Sequence, residues 1–194
     1  PKPSSAASDV YKRQPMYFVF ALPPLLFGLW AQWKVKSAFG KYSSVANSTG
    51  YTGEQIARRL LDSQGLYNVT IESVSGDLTD HYDPRGKVVR LSDSTMHRNS
   101  VAAIGVVAHE VGHAIQDAES YAPMRTRAAI LPVANIGSII GPYIFMLGMV
   151  INMFGLALLG LLLFGAAAVF QAVTLPVEYN ASSRAMRLLV DNGL

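Results

Sequence analysis

The sequence contains no cysteine and little charge. Without cysteine there can be no disulfide, no thiolate metal site and no cysteine nucleophile, so any metal must be bound by His, Asp or Glu. Only 15% of the residues are charged and 51% are hydrophobic, which favours a membrane protein over an ordinary soluble domain. The formal charge of +3 comes from scattered basic residues, and this pattern argues against a nucleic-acid partner.

The first apolar segment begins at Met16. Residues 1–15 are mostly polar and lack periodicity, and we interpret them as a non-native tail outside the fold. Residues 16–33 carry no charge, and as a helix they would be about 27 Å long, close to the roughly 30 Å of a bilayer core. They predict a transmembrane anchor. A signal peptide is the alternative, although no small-residue cleavage site follows.

The second apolar region is longer, because residues 128–177 are fifty consecutive positions without Asp, Glu, Lys or Arg. One helix of that length would measure about 75 Å, so we predict a transmembrane hairpin of two spans with a turn near Asn152 to Gly155. The alternative is a buried helix pair in a soluble protein. Small residues should let the two helices approach closely: Gly137, Gly141, Gly160, Gly165 and Ala166 to Ala168.

Residues 34–127 hold most of the polar side chains and predict a small α+β unit. Thr52 and Gln55 are spaced as a capping box for a helix that ends near Gly65. Two short strands are predicted, at 68–74 and 87–91. From Ser100 to Gln116 the residues are apolar around the circumference, which is typical of a buried helix capped by Asn99 or Ser100.

That helix contains the motif His-Glu-Val-Gly-His at residues 109–113. Histidines four residues apart lie on one helix face, so His109 and His113 can bind one zinc ion. Glu110 is rotated by about 100° and can reach a water at that ion as a general base. The alternative is two packed histidines beside an unrelated glutamate.

A catalytic zinc site requires a third protein ligand. The extended motif with a third histidine is absent, because Gln116 and Glu119 occupy the relevant positions, and Glu119 would point away from the ion. Glu178 is the first charged residue after the apolar stretch, and an even number of membrane crossings returns it to the side of His109. We therefore predict Glu178 as the third ligand. The alternative is an interfacial glutamate at the end of a span.

The same residues resemble a known family. The resemblance is carried by the His-Glu-Val-Gly-His helix, by the uncharged hairpin and by Leu-Pro-Val-Glu-Tyr-Asn-Ala-Ser after it. Asp-His-Tyr-Asp-Pro at 80–84 and Gln-Trp-Lys-Val-Lys at 32–36 fit as well. From Met16 to Leu194 the chain resembles the bacterial putative neutral zinc metallopeptidase family. More loosely the chain is similar to membrane gluzincins such as the heat-shock membrane protease and the prenyl-protein protease. The resemblance implies His109, His113 and Glu178 as ligands and Glu110 as base. Those looser relatives usually have Asp four residues after the ligand glutamate, where this chain has Ser182, a residue that can also hydrogen-bond a histidine.

The fold class that follows is α+β and mostly helical: a multi-pass membrane protein with a small zincin-like catalytic unit built on the H-E-x-x-H helix and a short sheet. Its segments are a tail at 1–15, an anchor at 16–33, the catalytic unit at 34–127, the hairpin at 128–177 and a helix at 178–194 that carries the third ligand. The predicted function is that of a membrane-bound zinc metallopeptidase with one catalytic Zn²⁺ and a peptide or membrane-protein substrate. The alternatives are a catalytically silent, zinc-stabilised membrane scaffold and an ion-handling membrane protein.

Three further expectations concern the surroundings of the site. His81 or Tyr82 could stabilise the oxyanion of the reaction, and the strand at 87–91 could pair with an extended substrate. No role is assigned to His97. Because basic residues flank the spans and the predicted turn carries no charge, the positive-inside rule predicts a plasma-membrane protein with a cytoplasmic catalytic unit. The basic residues are Lys34, Lys36, Lys41, Arg125, Arg127, Arg184 and Arg187.

Overall fold

The structure is a computed structural model that describes the backbone of residues 5–194 and the side chains of residues 19, 20 and 22–194. The first four residues of the predicted tail at 1–15 lie outside this range. The chain forms two compact units, Pro1–Val45 and Ala46–Leu194.

The first unit is built on one helix, α1, from Ser5 to Ser43. The predicted anchor at 16–33 lies within it, and most of the described side chains between 19 and 33 are exposed. The membrane crossing of this segment stays a prediction.

The second unit begins its regular structure with α2, Gly53–Ser63. Its start is fixed by the predicted capping box, in which the Thr52 hydroxyl accepts a hydrogen bond from the Gln55 backbone N–H at 3.4 Å. The Gln55 side chain accepts in return from the Thr52 N–H at 3.0 Å. The helix ends just before Gly65, which adopts a positive φ of 71°.

A three-stranded sheet follows, with β1 at Thr70–Val74, β2 at His81–Asp83 and β3 at Val88–Ser92. The order is β1-β3-β2, with β1 parallel and β2 antiparallel to β3. The sequence predicted only two strands, because β2 is three residues long and shows no apolar alternation. The hypothesis that residues 87–91 pair with a substrate is wrong, since β3 is the central strand and both of its edges are already occupied.

The motif helix is α4, Val101–Ala118, which follows the short α3 at Asp93–Met96. The Ser100 hydroxyl caps α4 by accepting from the Ala103 N–H at 3.2 Å. Helix α4 packs against α2, the sheet and the last turns of the C-terminal helix. Its buried side chains form the centre of the core, among them Val107, Ala108 and Val111.

Two long helices complete the chain, α5 from Ala122 to Val150 and α6 from Phe154 to Asp191. They pack against each other as a hairpin whose turn, Ile151 to Met153, contains Asn152 at a φ of 58°. Both are long and apolar enough to cross a membrane, and only 17% and 11% of their most apolar windows are buried. A buried helix pair of a soluble protein would be mostly covered, so this exposure favours the membrane interpretation.

Close approach of α5 and α6 depends on glycine. A Cβ on Gly137 would lie 2.3 Å from the Leu163 carbonyl oxygen, and one on Gly160 would lie 2.3 Å from the Phe145 nitrogen. Gly141 is at the same interface, as predicted. Gly165 is not, because a Cβ there would meet nothing within 4 Å.

Helix α6 does not break at Pro176 but continues through it to Asp191. Its last turns bury Val177, Ala185 and Leu188 in the same core as Val107 and Val111 of α4. Residues 178–191 are therefore a continuation of the hairpin helix, and this continuity delivers Glu178 to α4.

Candidate metal centre

The two motif histidines lie one turn apart on the face of α4 that meets α6. Their ring centroids are 4.8 Å apart, and the rings are nearly perpendicular at 85°. His113 is buried, whereas His109 is partly exposed. The four-residue spacing thus brings both imidazoles to one point, as the helical period predicts.

Glu178 reaches this point from α6. Its Oε2 atom lies 3.1 Å from His109 Nε2 and 3.4 Å from His113 Nε2. One ligand atom from each of the three residues lies within 4.8 Å of the other two. The structure therefore brings together the three side chains predicted to bind a metal.

A glycine inside the motif makes this approach possible. A Cβ on Gly112 would stand 2.7 Å from the carbonyl oxygen of Ala181 on α6. Contacts this short do not occur in real structures, so any larger residue would hold α6 away from α4. Gly112 thus sets the distance across which Glu178 meets the histidines.

The Nδ1 nitrogen of each histidine has its own hydrogen-bond partner. His109 Nδ1 is 3.2 Å from the Ser182 hydroxyl, and His113 Nδ1 is 3.0 Å from the Gln116 Oε1. Protons on Nδ1 that are donated to these oxygens would leave each Nε2 as the nitrogen whose lone pair binds a metal ion once that ion replaces the hydrogen bond to Glu178. Ser182 is four residues after Glu178, at the position where the membrane gluzincins usually have Asp.

These donors fit zinc. Two imidazole nitrogens and one carboxylate oxygen are a common catalytic zinc set, and bonds of about 2.0–2.1 Å at tetrahedral angles separate the donor atoms by roughly 3.3 Å. The distances of 3.1 Å and 3.4 Å from Glu178 to the histidine nitrogens match that separation. Hydrogen bonds to both Nδ1 atoms are a further feature of such sites.

Charge at the site keeps Glu178 ionised. Hydrogen bonds from His109 and His113 hold the pKa of its carboxyl well below the usual range despite partial burial, and the nearby Arg127 adds to the effect. The Arg127 guanidinium is 3.4 Å from Glu178 Oε1, whereas the histidines contact Oε2. An anionic carboxylate is the form that binds a metal.

Two of the motif side chains are buried enough for their pKa values to shift. Burial raises the pKa of Glu110, although the charges of His113 and His109 partly oppose this. For His113 burial acts to lower the pKa, but the hydrogen bonds with Glu178 and Gln116 and the charge of Glu110 outweigh it, so the net shift is upward. Glu110 thus combines an elevated pKa with a position in the lining of the cleft.

A cleft of about 420 Å³ opens over these residues. The segment that contains β2 lines it, and so does the beginning of α5, through Met124, Ala128 and Leu131 on one helix face. Glu110, the two histidines and Glu178 are all part of its lining. The cleft is large enough for a short stretch of peptide beside the metal donors.

His81 and Tyr82, the two side chains suggested as oxyanion donors, also line the cleft, but they differ in their hydrogen bonds and exposure. The Tyr82 hydroxyl is already engaged, because it donates to Asp117 Oδ2 at 2.7 Å, and burial together with this bond raises its pKa. His81 is exposed, and its Nδ1 lies 2.8 Å from the Thr79 carbonyl oxygen. Tyr82 therefore has no free hydroxyl proton with which to stabilise an oxyanion.

Sequence reasoning missed two polar residues of the site, Gln116 and Arg127. A signal for Arg127 was present, since it is the last charge before the fifty-residue apolar stretch and Glu178 is the first charge after it. An antiparallel hairpin returns the chain to its starting level, so the residues flanking it should meet. Gln116 was considered only as a position where a histidine was lacking.

Comparison with known proteins shows the family of the chain. The model of a family described as "Putative neutral zinc metallopeptidase" matches residues 17–194. The chain is also 50% identical over 179 residues to "Putative membrane protease YugP" of Bacillus subtilis (strain 168), a match that covers 92% of this chain and 80% of the relative. No solved structure matches the chain. The resemblance inferred from the motifs is confirmed, and the chain belongs to the putative neutral zinc metallopeptidase family.

Proposed function

We propose that the protein is a membrane-bound peptidase that binds one catalytic zinc ion through His109, His113 and Glu178 and uses Glu110 as its general base. The observation that carries this proposal is the convergence of three zinc donors beside a buried glutamate in an open cleft. Family membership supports the same activity.

Bound zinc would supply a Lewis acid that polarises the substrate carbonyl and lowers the pKa of water. Glu110 accepts a proton from the attacking water as the oxygen–carbon bond forms. It then delivers that proton to the amine nitrogen as the carbon–nitrogen bond breaks. The elevated pKa of Glu110 suits both halves of this transfer.

The developing negative charge on the carbonyl oxygen needs a hydrogen-bond donor, and Arg127 is our choice for it. Its guanidinium lines the cleft and lies next to the proposed ligand Glu178, at 3.4 Å. A guanidinium stays charged at any working pH and has five N–H donors, so it can pair with Glu178 and still face substrate. Tyr82 is less suited because its hydroxyl donates to Asp117.

Strand β2 is the candidate for holding the substrate backbone. It is an edge strand of the sheet, and its residues His81 and Tyr82 line the cleft. An extended peptide added beside β2 would run past Glu110 and the metal donors. We therefore assign the pairing with an extended substrate to β2 and not to residues 87–91.

We further propose that α5 and α6 cross the plasma membrane and that the catalytic unit faces the cytoplasm. The basic residues at the open end of the hairpin, Arg125, Arg127 and Arg184 among them, support this orientation, and the turn at Asn152 has no charge. Because the chain lacks cysteine, Asn152→Cys and Ser75→Cys can be labelled separately in intact cells with an impermeant maleimide. Only Asn152→Cys should react, and the opposite result would reverse the orientation.

The catalytic proposal is tested on the purified full chain and the Glu110→Gln variant, with Glu54→Gln on the exposed face of α2 as the matched control. Zinc content and cleavage of a diverse peptide library are measured for all three. We expect one zinc ion per chain throughout and loss of cleavage in Glu110→Gln alone. Undiminished cleavage in that variant would refute the mechanism. Bound zinc with no cleavage by the wild type would favour a zinc-stabilised scaffold.

A further inference from the structure

We propose that Gln116 is a positioning residue that holds His113 with Nδ1 protonated and Nε2 free to bind the metal. The inference rests on the proposed zinc-binding role of His113 and adds a residue three positions beyond the recognised motif.

The side chain of Gln116 is fully buried between α4 and α6 and has a partner for each of its polar atoms. Its Nε2 donates to the Val177 carbonyl oxygen and to the Asn180 Oδ1, each at 2.9 Å. Its Oε1 lies 3.0 Å from His113 Nδ1. Burial makes each bond costly to lose, because an unpaired amide atom there has no access to water.

The orientation of the amide follows from groups whose roles are unambiguous. The Val177 carbonyl oxygen can only accept a hydrogen bond, so the Gln116 atom facing it must be the NH₂ group. The Arg184 Nε can only donate, and it lies 2.7 Å from the Asn180 Oδ1, so Asn180 also turns its oxygen toward this network. Both hydrogens of the Gln116 amide are thereby used.

Only the Gln116 oxygen is then left to face His113. An oxygen acceptor at 3.0 Å from His113 Nδ1 requires a proton on that nitrogen, so Nε2 is the nitrogen whose lone pair becomes available to a metal ion. The chain of bonds from Arg184 through Asn180 and Gln116 thus determines which tautomer His113 adopts. It also connects His113 to Val177, which directly precedes Glu178 on α6, and to Asn180, two residues after Glu178.

The test measures the zinc dissociation constant of the full chain in a competing chelator. Gln116→Met keeps the length and burial of the side chain but removes the acceptor, so we expect zinc binding weakened by about 10- to 100-fold. Gln64→Met, on the exposed end of α2, is the matched control and should bind as the wild type does.

A second variant separates positioning from packing. Gln116→Glu loses both donated bonds to α6 but keeps an oxygen acceptor for the His113 Nδ1–H. We expect it to lower the melting temperature of the metal-free protein yet to bind zinc within a few-fold of the wild type. If Gln116 served packing alone, zinc affinity would follow the melting temperature and Gln116→Glu would bind worse than the control.

A measurement on the wild type completes the test without any variant. In the zinc-loaded protein, ¹⁵N NMR should find His113 protonated at Nδ1. Unchanged zinc affinity in Gln116→Met, or a proton at His113 Nε2 in the zinc-loaded wild type, would overturn the inference while leaving the proposed function intact. Failure of the wild type to bind zinc at all would refute the proposed function and the inference together.

Discussion

The carbonyl oxygen of Ala181 lies 2.7 Å from the point where a Cβ would stand on Gly112. This contact joins the motif helix α4 to the helix that carries Glu178. The space between the two helices is therefore set by backbone against backbone, with no side chain that could move aside.

We predict that Gly112→Ala destabilises the protein by about 1–3 kcal/mol, because α6 must shift to relieve the overlap. The shift also moves Glu178 away from His109 and His113, so zinc affinity should fall. Gly105→Ala is the matched control on the same helix, since a Cβ there meets nothing within 4 Å. It should raise stability by about 0.5–1 kcal/mol through helix propensity. Thermal unfolding and zinc titration measure both effects, and equal behaviour of the two variants would contradict the role of Gly112.

Replacement of Arg127 tests the proposed oxyanion donor. Arg127→Ala should lower kcat by about 10²- to 10³-fold with little change in KM, because the lost interaction forms only as charge develops on the carbonyl oxygen. Zinc content should stay at the wild-type level. Arg187→Ala, an exposed arginine on α6 that bonds Ser183, is the control. A rise in KM with unchanged kcat would instead indicate that Arg127 only binds substrate.

Ser182 offers a test at the other histidine. Ser182→Ala removes the partner of His109 Nδ1 and should weaken zinc binding, whereas Ser182→Asp places a carboxylate there and should strengthen it. The neighbouring Ser183→Ala provides the control, because Ser183 bonds Arg187 and neither histidine. Zinc affinity that is the same in the alanine and aspartate variants would show that Ser182 does not orient His109.

Acid should destabilise the fold partly through Glu119. Its hydrogen bond with Arg184 at 2.7 Å lowers the pKa of Glu119 in the folded state. A lowered pKa means that the stabilisation is complete above the unfolded value of about 4.3 and is lost as the pH falls through the folded value. The melting temperature of Glu119→Gln should therefore fall less steeply than that of the wild type below about pH 4.5. Parallel curves for the two proteins would exclude this contribution.

The parts of the molecule that follow from local periodicity were predictable from the sequence. The spacing of His109 and His113 and the cap at Thr52 depend on residues within one or two helical turns. The position of Glu178 could be predicted although it is 69 residues from His109, because an apolar stretch of that length predicts a helical hairpin that brings its two ends back together. Helix α4 could also be predicted from local periodicity, since its apolar positions repeat over several turns.

The parts that the sequence did not reveal depend on contacts between distant residues. Strand β2 has no pattern of its own and is held by β3 and by the bond of Tyr82 to Asp117, 35 residues away. Gln116 acquires its role from Val177 and Asn180, more than sixty residues later. Gly165 resembles Gly160 in the sequence, but only a packed pair of helices reveals which of them faces the neighbour.

The continuity of α6 through Pro176 has a consequence for the order of events during synthesis. A nascent chain that has exposed α4 holds only two of the three zinc donors, and the third emerges after both limbs of the hairpin have been made. Two imidazoles alone retain zinc poorly compared with a complete set. If the chain is the zinc peptidase proposed above, a complete metal site therefore forms only after both helices of the hairpin have been synthesised.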